Sequence, residues 1–433
     1  MPSPDLQPDH RPSAPEPRDA AVAVVRSLRD AGHTAYFAGG CVRDELLGRA
    51  PNDYDVATDA TPDRIQALFR KTAAVGAAFG VVLVKILTHT IEVATFRSDG
   101  SYSDKRRPDA VTFSTPAEDA KRRDFTVNAL FLDPLAPPHL HTPGVQGSVI
   151  DLVGGLPDLA TKTLRAVGDP HQRLAEDHLR ALRAVRLAAK LDFSIHPGTA
   201  DAIRAHASDL SGVSRERIGD ELRDMFLIHH SFLNAIQQLH ALGLDAVCFG
   251  TPHIHSPSTL RLASLLLSNA RTFPAALAAL ELDRAPYAQP APTLESPKAI
   301  TSRLRRCLCL SNNESSELSA VLGSYHVLPQ WPSLSVSARK RLASAAGFAA
   351  SHAIIAATSP DLAHSIAANL SILLSDGVGL APEPLLTGDH LVASGFQPGP
   401  LFRSVLDRVY DAQLEGVVSN FAAALELARR LHV

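Results

Sequence analysis

Gly39-Gly40-Cys41-Val42-Arg43-Asp44 and, a few residues on, Asn52-Asp53-Tyr54-Asp55-Val56-Ala57-Thr58 decide how this chain reads. The glycine pair follows an apolar run, Thr34–Ala38, and opens a helix expected over Cys41–Leu47. Gly39 and Gly40 let backbone N–H groups approach an anion closely, and a helix N-terminus adds a favourable dipole. Arg43 supplies a charged donor for a phosphate. A Gly-Gly pair by itself is equally an ordinary strand-to-helix turn. The second stretch predicts a strand over Tyr54–Ala57, and positions i and i+2 of a strand share a face. Asp53 and Asp55 are thus expected side by side. Adjacent carboxylates repel and raise each other's pKa unless a cation lies between them, and a pair of hard oxygen ligands suits Mg²⁺. A phosphate cradle beside such a pair is what nucleotidyl transfer requires.

Outward from this core, short strand-like runs alternate with Gly/Pro turns up to about residue 160. Strands are expected over Thr34–Ala38, Tyr54–Ala57, Val81–Leu87, Thr90–Phe96 and Val149–Val153. Helices are expected over Asp19–Ala31, Cys41–Leu47 and Pro62–Phe69. Beyond residue 160 helical patterns dominate, most clearly over His171–Leu191, where Leu179, Leu182 and Val185 recur beside an arginine face. The expected fold class is an α/β head, a mixed sheet with flanking helices, followed by an all-α neck, body and tail. The expected divisions are a disordered Pro-rich tail at 1–18, the head at 19–160, a helical neck at 161–225 and a helical body and tail at 226–433. Residues 283–298, with four prolines, read as a linker or long loop, and 336–379 as packed Ala/Ser/Leu-rich helices.

Composition narrows the options. The chain has 433 residues, 45% hydrophobic and 20% charged, enough to bury a sizeable core. No apolar stretch is long enough to span a bilayer, and residues 1–18 lack the apolar core of a secretory signal. The four cysteines form no CxxC pair, which argues against a disulfide framework or zinc ribbon and fits a reducing cytoplasm. The net charge of −3 gives no global attraction to polyanions, so any nucleic-acid site must be a local basic cluster. Two such clusters exist. One holds Arg97, Lys105, Arg106, Arg107, Lys121, Arg122 and Arg123; the other includes Arg180, Arg183, Arg186, Arg215, Arg217 and Arg223. His229, His230, His253 and His255 match no standard ligand spacing.

Further motifs follow in order: Ile91-Glu92-Val93-Ala94-Thr95-Phe96-Arg97, a polar basic loop over 99–109, Arg122-Arg123-Asp124-Phe125-Thr126-Val127-Asn128-Ala129-Leu130, and Asp151-Leu152-Val153-Gly154-Gly155-Leu156-Pro157-Asp158. Glu176-Asp177-His178-Leu179-Arg180, Arg183-Ala184-Val185-Arg186 and Ser214-Arg215-Glu216-Arg217-Ile218 complete the series. Over residues 33–225 this order resembles the head and neck of class II tRNA nucleotidyltransferases and bacterial poly(A) polymerases. The resemblance implies that Asp53 and Asp55 hold Mg²⁺ as catalytic carboxylates and that the 99–109 loop gates the switch between C and A. It also implies a base-reading helix carrying Asp177 and Arg180, with Glu176 orienting the arginine and Arg183 and Arg186 beside it. The usual proline after the Glu-Asp pair is His178 here, which bears on helix entry more than on chemistry. No His-Asp dipeptide occurs, which argues against the phosphohydrolase domain fused to some relatives.

Several residues keep two readings. Glu92, an acid in an otherwise apolar strand, is either a third site carboxylate or a partner of Arg97 or Arg43, because an unpaired charge there is costly. Arg123 is a candidate for triphosphate oxygens and Asp124 for the ribose, whereas Asn128 either binds or caps. Asp177 and Arg180, at i and i+3, form either an intrahelical ion pair or a reader of a Watson–Crick edge. In the second case a carboxylate accepts and a guanidinium donates. Cytosine and adenine both offer an amino donor beside a ring-nitrogen acceptor, while guanine and uracil present the reverse order. One Asp/Arg pair therefore admits C and A without a template. The expected function is template-independent addition of C and/or A to the tRNA 3′ end from CTP and ATP, with tRNA held by acceptor stem and TΨC arm. No membrane and no stable protein partner are implied. The alternatives are a poly(A) polymerase and an inactive RNA-binding relative. Leu386-Thr387-Gly388-Asp389-His390-Leu391 and Gly395-Phe396-Gln397-Pro398-Gly399-Pro400-Leu401 resemble the tail of the tRNA enzymes, although a turn between helices explains them equally.

Overall fold

The sheet is built around the two stretches that opened the sequence reading. In this computed structural model, β1 (Ala35–Ala38) and β2 (Asp55–Thr58) lie next to each other near the middle of a seven-stranded mixed sheet. The other members are β3 (Thr72–Ala73), β4 (Val81–Ile86), β5 (His89–Thr95), β8 (Phe131–Asp133) and β9 (Ser148–Ile150), in the order β3-β4-β5-β2-β1-β8-β9. Only β2 and β5 run parallel; the remaining neighbours are antiparallel. A separate two-stranded ribbon pairs β6 (Arg97–Asp99) with β7 (Val111–Phe113). The described residues are 16–73, 80–86, 88–100, 111–138, 145–228, 231–251, 259–284 and 296–431. Most of the expected gating loop, most of the 283–298 linker, and His229, His230, His253 and His255 fall outside them.

Alternation along the strands makes two cores. Phe37, Val56, Val82 and Val93 point to one face, with α1 (Pro17–Asp30), α2 (Gly40–Leu46) and α3 (Pro62–Leu68) supplying Val24, Leu28, Val42 and Ile65. At about 1.5–3 kcal/mol per large side chain, this face carries much of the sheet's stability. The opposite face holds a smaller cluster, with Ala38, Ala57, Phe96, Ala120 and Phe131. Phe96 and Phe131 meet edge-on at 5.8 Å, which favours both rings beyond simple burial. Ala120 comes from α4 (Pro116–Arg122). The α1 helix starts at Pro17, so Pro17 and Arg18 belong to it, and Pro suits a first helical turn.

One expected helix is two. α6 (Pro170–Glu176) ends before Asp177, whose extended backbone (φ −147°, ψ 104°) separates it from α7 (Arg180–Leu191). The cause is local. Asp177 Oδ1 accepts the Leu179 N–H at 3.1 Å and its carbonyl accepts that of Arg180 at 3.0 Å, so the aspartate starts a new helix rather than continuing the old one. Asp177 and Arg180 therefore do not share a face of one helix.

The chain divides into two compact units, Met1–Val213 and Ser214–Val433. The first also contains α5 (Gly155–Ala160) and α8 (Pro197–Ala205). The second is helical throughout its described residues and opens on α9 (Arg215–Leu227). The Ala/Ser/Leu-rich stretch forms three helices, Val336–Ser344, Phe348–Ala356 and Pro360–Ser375, two of which bury Phe348, Ile355 and Ile366 around Trp331. In the tail motif, Thr387 and His390 make a reciprocal capping box that starts the helix Gly388–Ala393. No helix among the described residues is long and apolar enough to cross a membrane.

Candidate active site

Strand register gathers the acids. Ala38 pairs with Asp55, and Asp55 pairs with Glu92 across the parallel β2–β5 ladder. The turn at Gly39, Asp55 and Glu92 thus stand at one level of the sheet, on the face of the smaller core. Asp53 lies two residues ahead of the first paired residue of β2, so strand alternation does not set its position. It is exposed, yet its charge is felt by both Asp55 and Glu92. Burial and then the Glu92 and Asp53 carboxylates push Asp55 up to about 7, while Arg123 opposes them. Glu92 is raised as well, by burial and then Asp53. Three mutually repelling acids with one nearby cation are short of positive charge. Glu92 is exposed, not enclosed in the strand's apolar face, and Arg43, one of the partners considered for it, is engaged elsewhere.

Gly39 has φ +79° and ψ −129°, a backbone that disfavours any side chain, and a Cβ there would lie 3.1 Å from Arg123 Nη1. The turn therefore makes room for Arg123. That guanidinium donates to the Asn128 carbonyl at 3.2 Å and to Asp119 Oδ2 at 3.0 Å, and lies 5.1 Å from the Phe131 ring centre. Asp119, 1% exposed, also accepts from Arg122 at 2.7 Å. Burial raises the Asp119 carboxyl, but Arg123 and Arg122 overcome it and hold it below its ordinary value. Asp119 was not among the residues expected at the site. Its signal was an acid three and four residues ahead of two arginines on one helical turn.

Other candidates have structural duties. Arg43 is 4% exposed and is bonded to Asp44 at 2.8 Å and to Asn128 Oδ1 at 2.5 Å, so it braces the turn and is not open to a phosphate. Asn128 Nδ2 donates to Asp124 Oδ1 at 3.3 Å, which places Asn128 as a strut between Arg43 and Asp124. Asp124 Oδ2 accepts two N–H groups of Arg183, at 2.6 and 3.1 Å. Burial raises this carboxyl, yet Arg183 outweighs it and keeps it ionised below the usual range. The ribose reading of Asp124 is displaced by this pairing, and Arg183 is held through it. Arg186 lies half-buried one turn on in α7. Asp151 accepts N–H groups from Val153, Gly154, Gly155 and Leu156, which starts α5.

The remaining candidate residues lie at the joint between α6 and α7. Glu176 splits its oxygens: Oε1 accepts from Arg173 at 2.5 Å and Oε2 from Arg180 Nη1 at 2.6 Å. Arg180 Nη1 also donates to the Arg173 carbonyl at 2.7 Å, and Nη2 to the Arg122 carbonyl at 3.4 Å. Among the described residues this leaves Nε–H and one Nη2–H, the lateral edge of the guanidinium, without an acceptor. Glu176 thus orients Arg180. In the second unit, Arg215 donates to the Val247 carbonyl at 3.2 Å and Arg223 pairs with Glu314 at 2.8 Å.

Among the described residues no three His, Cys, Asp or Glu side chains form a ready-made metal cage. A two-carboxylate site completed by substrate phosphates does not need one, and that is the usual habit of Mg²⁺.

The family model described as Poly A polymerase head domain matches residues 35–165, and that described as Probable RNA and SrmB- binding site of polymerase A matches residues 192–256. The chain is 45% identical over 209 residues to a CCA-adding enzyme of Levilactobacillus brevis, covering 48% of this chain and 50% of that one. It is 44% identical over 198 residues to a CCA-adding enzyme of Bacillus subtilis, covering 46% and 47%. These matches span about half the length of the curated relatives. Among solved structures, the Bacillus stearothermophilus CCA-adding enzyme in complex with CTP superposes with a TM-score of 0.71 at 26% identity, covering 96% of this chain and 99% of that one. Its head and the segment after it thus match the poly(A) polymerase head and RNA-binding models, and the curated relatives that share about half of its length are CCA-adding enzymes.

Proposed function

We propose that this protein adds C and A, without a template, to the 3′ end of tRNA, using CTP and ATP and releasing pyrophosphate. The observation that carries the reading is the cluster of Asp53, Asp55 and Glu92 at the level of the Gly39 turn, with Arg123 beside it. The triphosphate lies along the turn and against Arg123. Asp53 and Asp55 are the residues that would hold Mg²⁺, which when bound supplies charge neutralisation at the phosphates and acidifies the RNA 3′-hydroxyl. The hydroxyl gives up its proton to solvent as its oxygen bonds the α-phosphorus, the bond from that phosphorus to the bridging oxygen breaks, and pyrophosphate leaves with that oxygen. Glu92 adds negative charge that deepens the cation site.

Base choice rests on the α6–α7 joint. The Nε–H and Nη2–H edge of Arg180 donates to N3 of cytosine or N1 of adenine, and the Asp177 carboxylate accepts the neighbouring amino group. Guanine and uracil would set donor against donor, which costs the desolvation of both. The CTP bound to the Bacillus stearothermophilus enzyme, and that enzyme's likeness to this chain along nearly its full length, support a nucleoside triphosphate as substrate here. The four free cysteines support a reducing, cytoplasmic setting.

The test is incubation with transcripts ending before C-C-A, after C and after C-C, and with an unrelated oligo(A), each with all four nucleoside triphosphates, followed by 3′-end sequencing. C-C-A completion only on the tRNA transcripts supports the proposal. Long A tails on oligo(A) would move the assignment to a poly(A) polymerase, and no extension of any substrate would reject transferase activity. Asp53→Ala and Asp55→Ala should each abolish incorporation while tRNA binding stays detectable.

A further inference from the structure

Arg173 has been given no role of its own above, yet it contacts Glu176, Arg180 and the last turn of α4. Its Nη2 holds Glu176 Oε1 at 2.5 Å, its Nη1 donates to the Lys121 carbonyl at 3.2 Å, and its own carbonyl accepts from Arg180 Nη1 at 2.7 Å. Arg180 reaches the neighbouring carbonyl, that of Arg122, at 3.4 Å. Both guanidiniums therefore dock on the last turn of α4, where unsatisfied carbonyls carry partial negative charge. The same α4 carries Asp119, which clasps Arg122 and Arg123.

We propose that Arg173 is a positioning residue that sets nucleotide specificity by keeping the base-reading edge of Arg180 open. Glu176 is one carboxylate between two guanidiniums. With Arg173 in place, one oxygen is engaged and the other meets Arg180 only at Nη1. Without Arg173, both oxygens become available to Arg180, and a carboxylate beside a guanidinium favours the bidentate fork. Such a fork needs two adjacent N–H groups and either covers the Nε/Nη2 edge or rotates the whole group to offer Nη1 and Nη2. Either outcome removes the donors aimed at the base. The contact with Lys121 adds a second consequence: the base-reading arginine and the phosphate-side Arg123 are referenced to one short helix, so their spacing is fixed. This inference rests on the proposed C and A addition and names a specificity device within it.

The experiment measures single-turnover incorporation of CMP, AMP, UMP and GMP into a tRNA transcript ending before C-C-A. It compares the wild type with Arg173→Ala, Arg173→Gln and Arg173→Lys, and records each variant's thermal midpoint and tRNA affinity. Arg173→Ala and Arg173→Gln should lose the preference for CMP over UMP by about tenfold or more, the scale of one bidentate base contact. The KM for CTP should rise while tRNA affinity stays within about twofold of wild type, because phosphate contacts rather than base contacts dominate RNA affinity. Arg173→Lys keeps a cation on Glu176 Oε1 and should recover part of the preference. Should Arg173→Ala fail to fold, Arg173→Gln, which keeps a polar side chain without the charge, decides the matter. A wild-type ratio of CMP to UMP in a folded Arg173→Gln protein would overturn the inference. A wild type that incorporates no nucleotide at all would instead overturn the functional reading beneath it.

Discussion

Asp55→Asn should stabilise the metal-free protein while destroying its chemistry. Asp55 is pushed from the ordinary 3.8 to about 7, first by burial and then by Glu92 and Asp53. A displacement of that size is worth on the order of 4 kcal/mol against the ionised form at pH 8. Water penetration and side-chain relaxation lower the realised value, so about 1–3 kcal/mol is expected. For a unit of about 200 residues this corresponds to a rise of roughly 3–10 °C in thermal midpoint. The sign follows from linkage. The folded carboxyl keeps its proton up to about pH 7, while the unfolded one releases it near pH 4, so the penalty is absent below pH 4 and complete above pH 7. The gain from Asp55→Asn should therefore be full at pH 8 and shrink to less than about half at pH 5. Calorimetry or circular-dichroism melts of both proteins with chelator at the two pH values read this directly. Added MgCl₂ at pH 8 should raise the wild-type midpoint more than that of the variant. An Asp55→Asn protein no more stable than wild type at pH 8, or equally stabilised at both pH values, would refute the claim that these acids are held in mutual repulsion.

Other perturbations test the supports of the site. Asp119→Asn leaves Arg122 and Arg123 sharing a neutral acceptor and should cost about 2–3 kcal/mol in urea titration, with a rise in KM for the nucleotide. Asp119 and Asp124 are both held below the ordinary carboxylate range, so their stabilisation is complete above about pH 4 and lost as the pH falls further; Asp119→Asn should flatten that acid limb of the stability profile. Gly155→Ala would place a Cβ 2.4 Å from the Thr126 carbonyl oxygen and should destabilise by about 1–3 kcal/mol, seen as a lower thermal midpoint. In the second unit Lys340, 0% exposed, has its Nζ 2.5 Å from Asp376. Lys340→Met should be close to neutral, whereas Asp376→Asn strands the buried cation and should cost about 2 kcal/mol or more in the same urea titration.

The sequence alone determined the strands that carry Asp55 and Glu92, the glycine turn beside them, and the change from sheet to helices near residue 160. These signals are local: period-two alternation, a glycine pair between a strand-like and a helix-like run, and single acids within apolar strand-like runs. It did not determine where the guanidiniums go. Arg43 sat in the glycine turn, yet it is tied to Asn128, 85 residues on, and Arg183 is tied to Asp124, 59 residues back. The partner of an arginine depends on which carboxylate or carbonyl packing brings within about 3 Å, and neither propensity nor periodicity encodes that distance. The break at Asp177 was hidden for a related reason, because the apolar pattern through Leu179, Leu182 and Val185 continues across it and only the aspartate's bond to the Leu179 amide interrupts the helix. Tertiary structure therefore decided which charges brace the frame of the candidate site, because only packing brings their distant partners within reach.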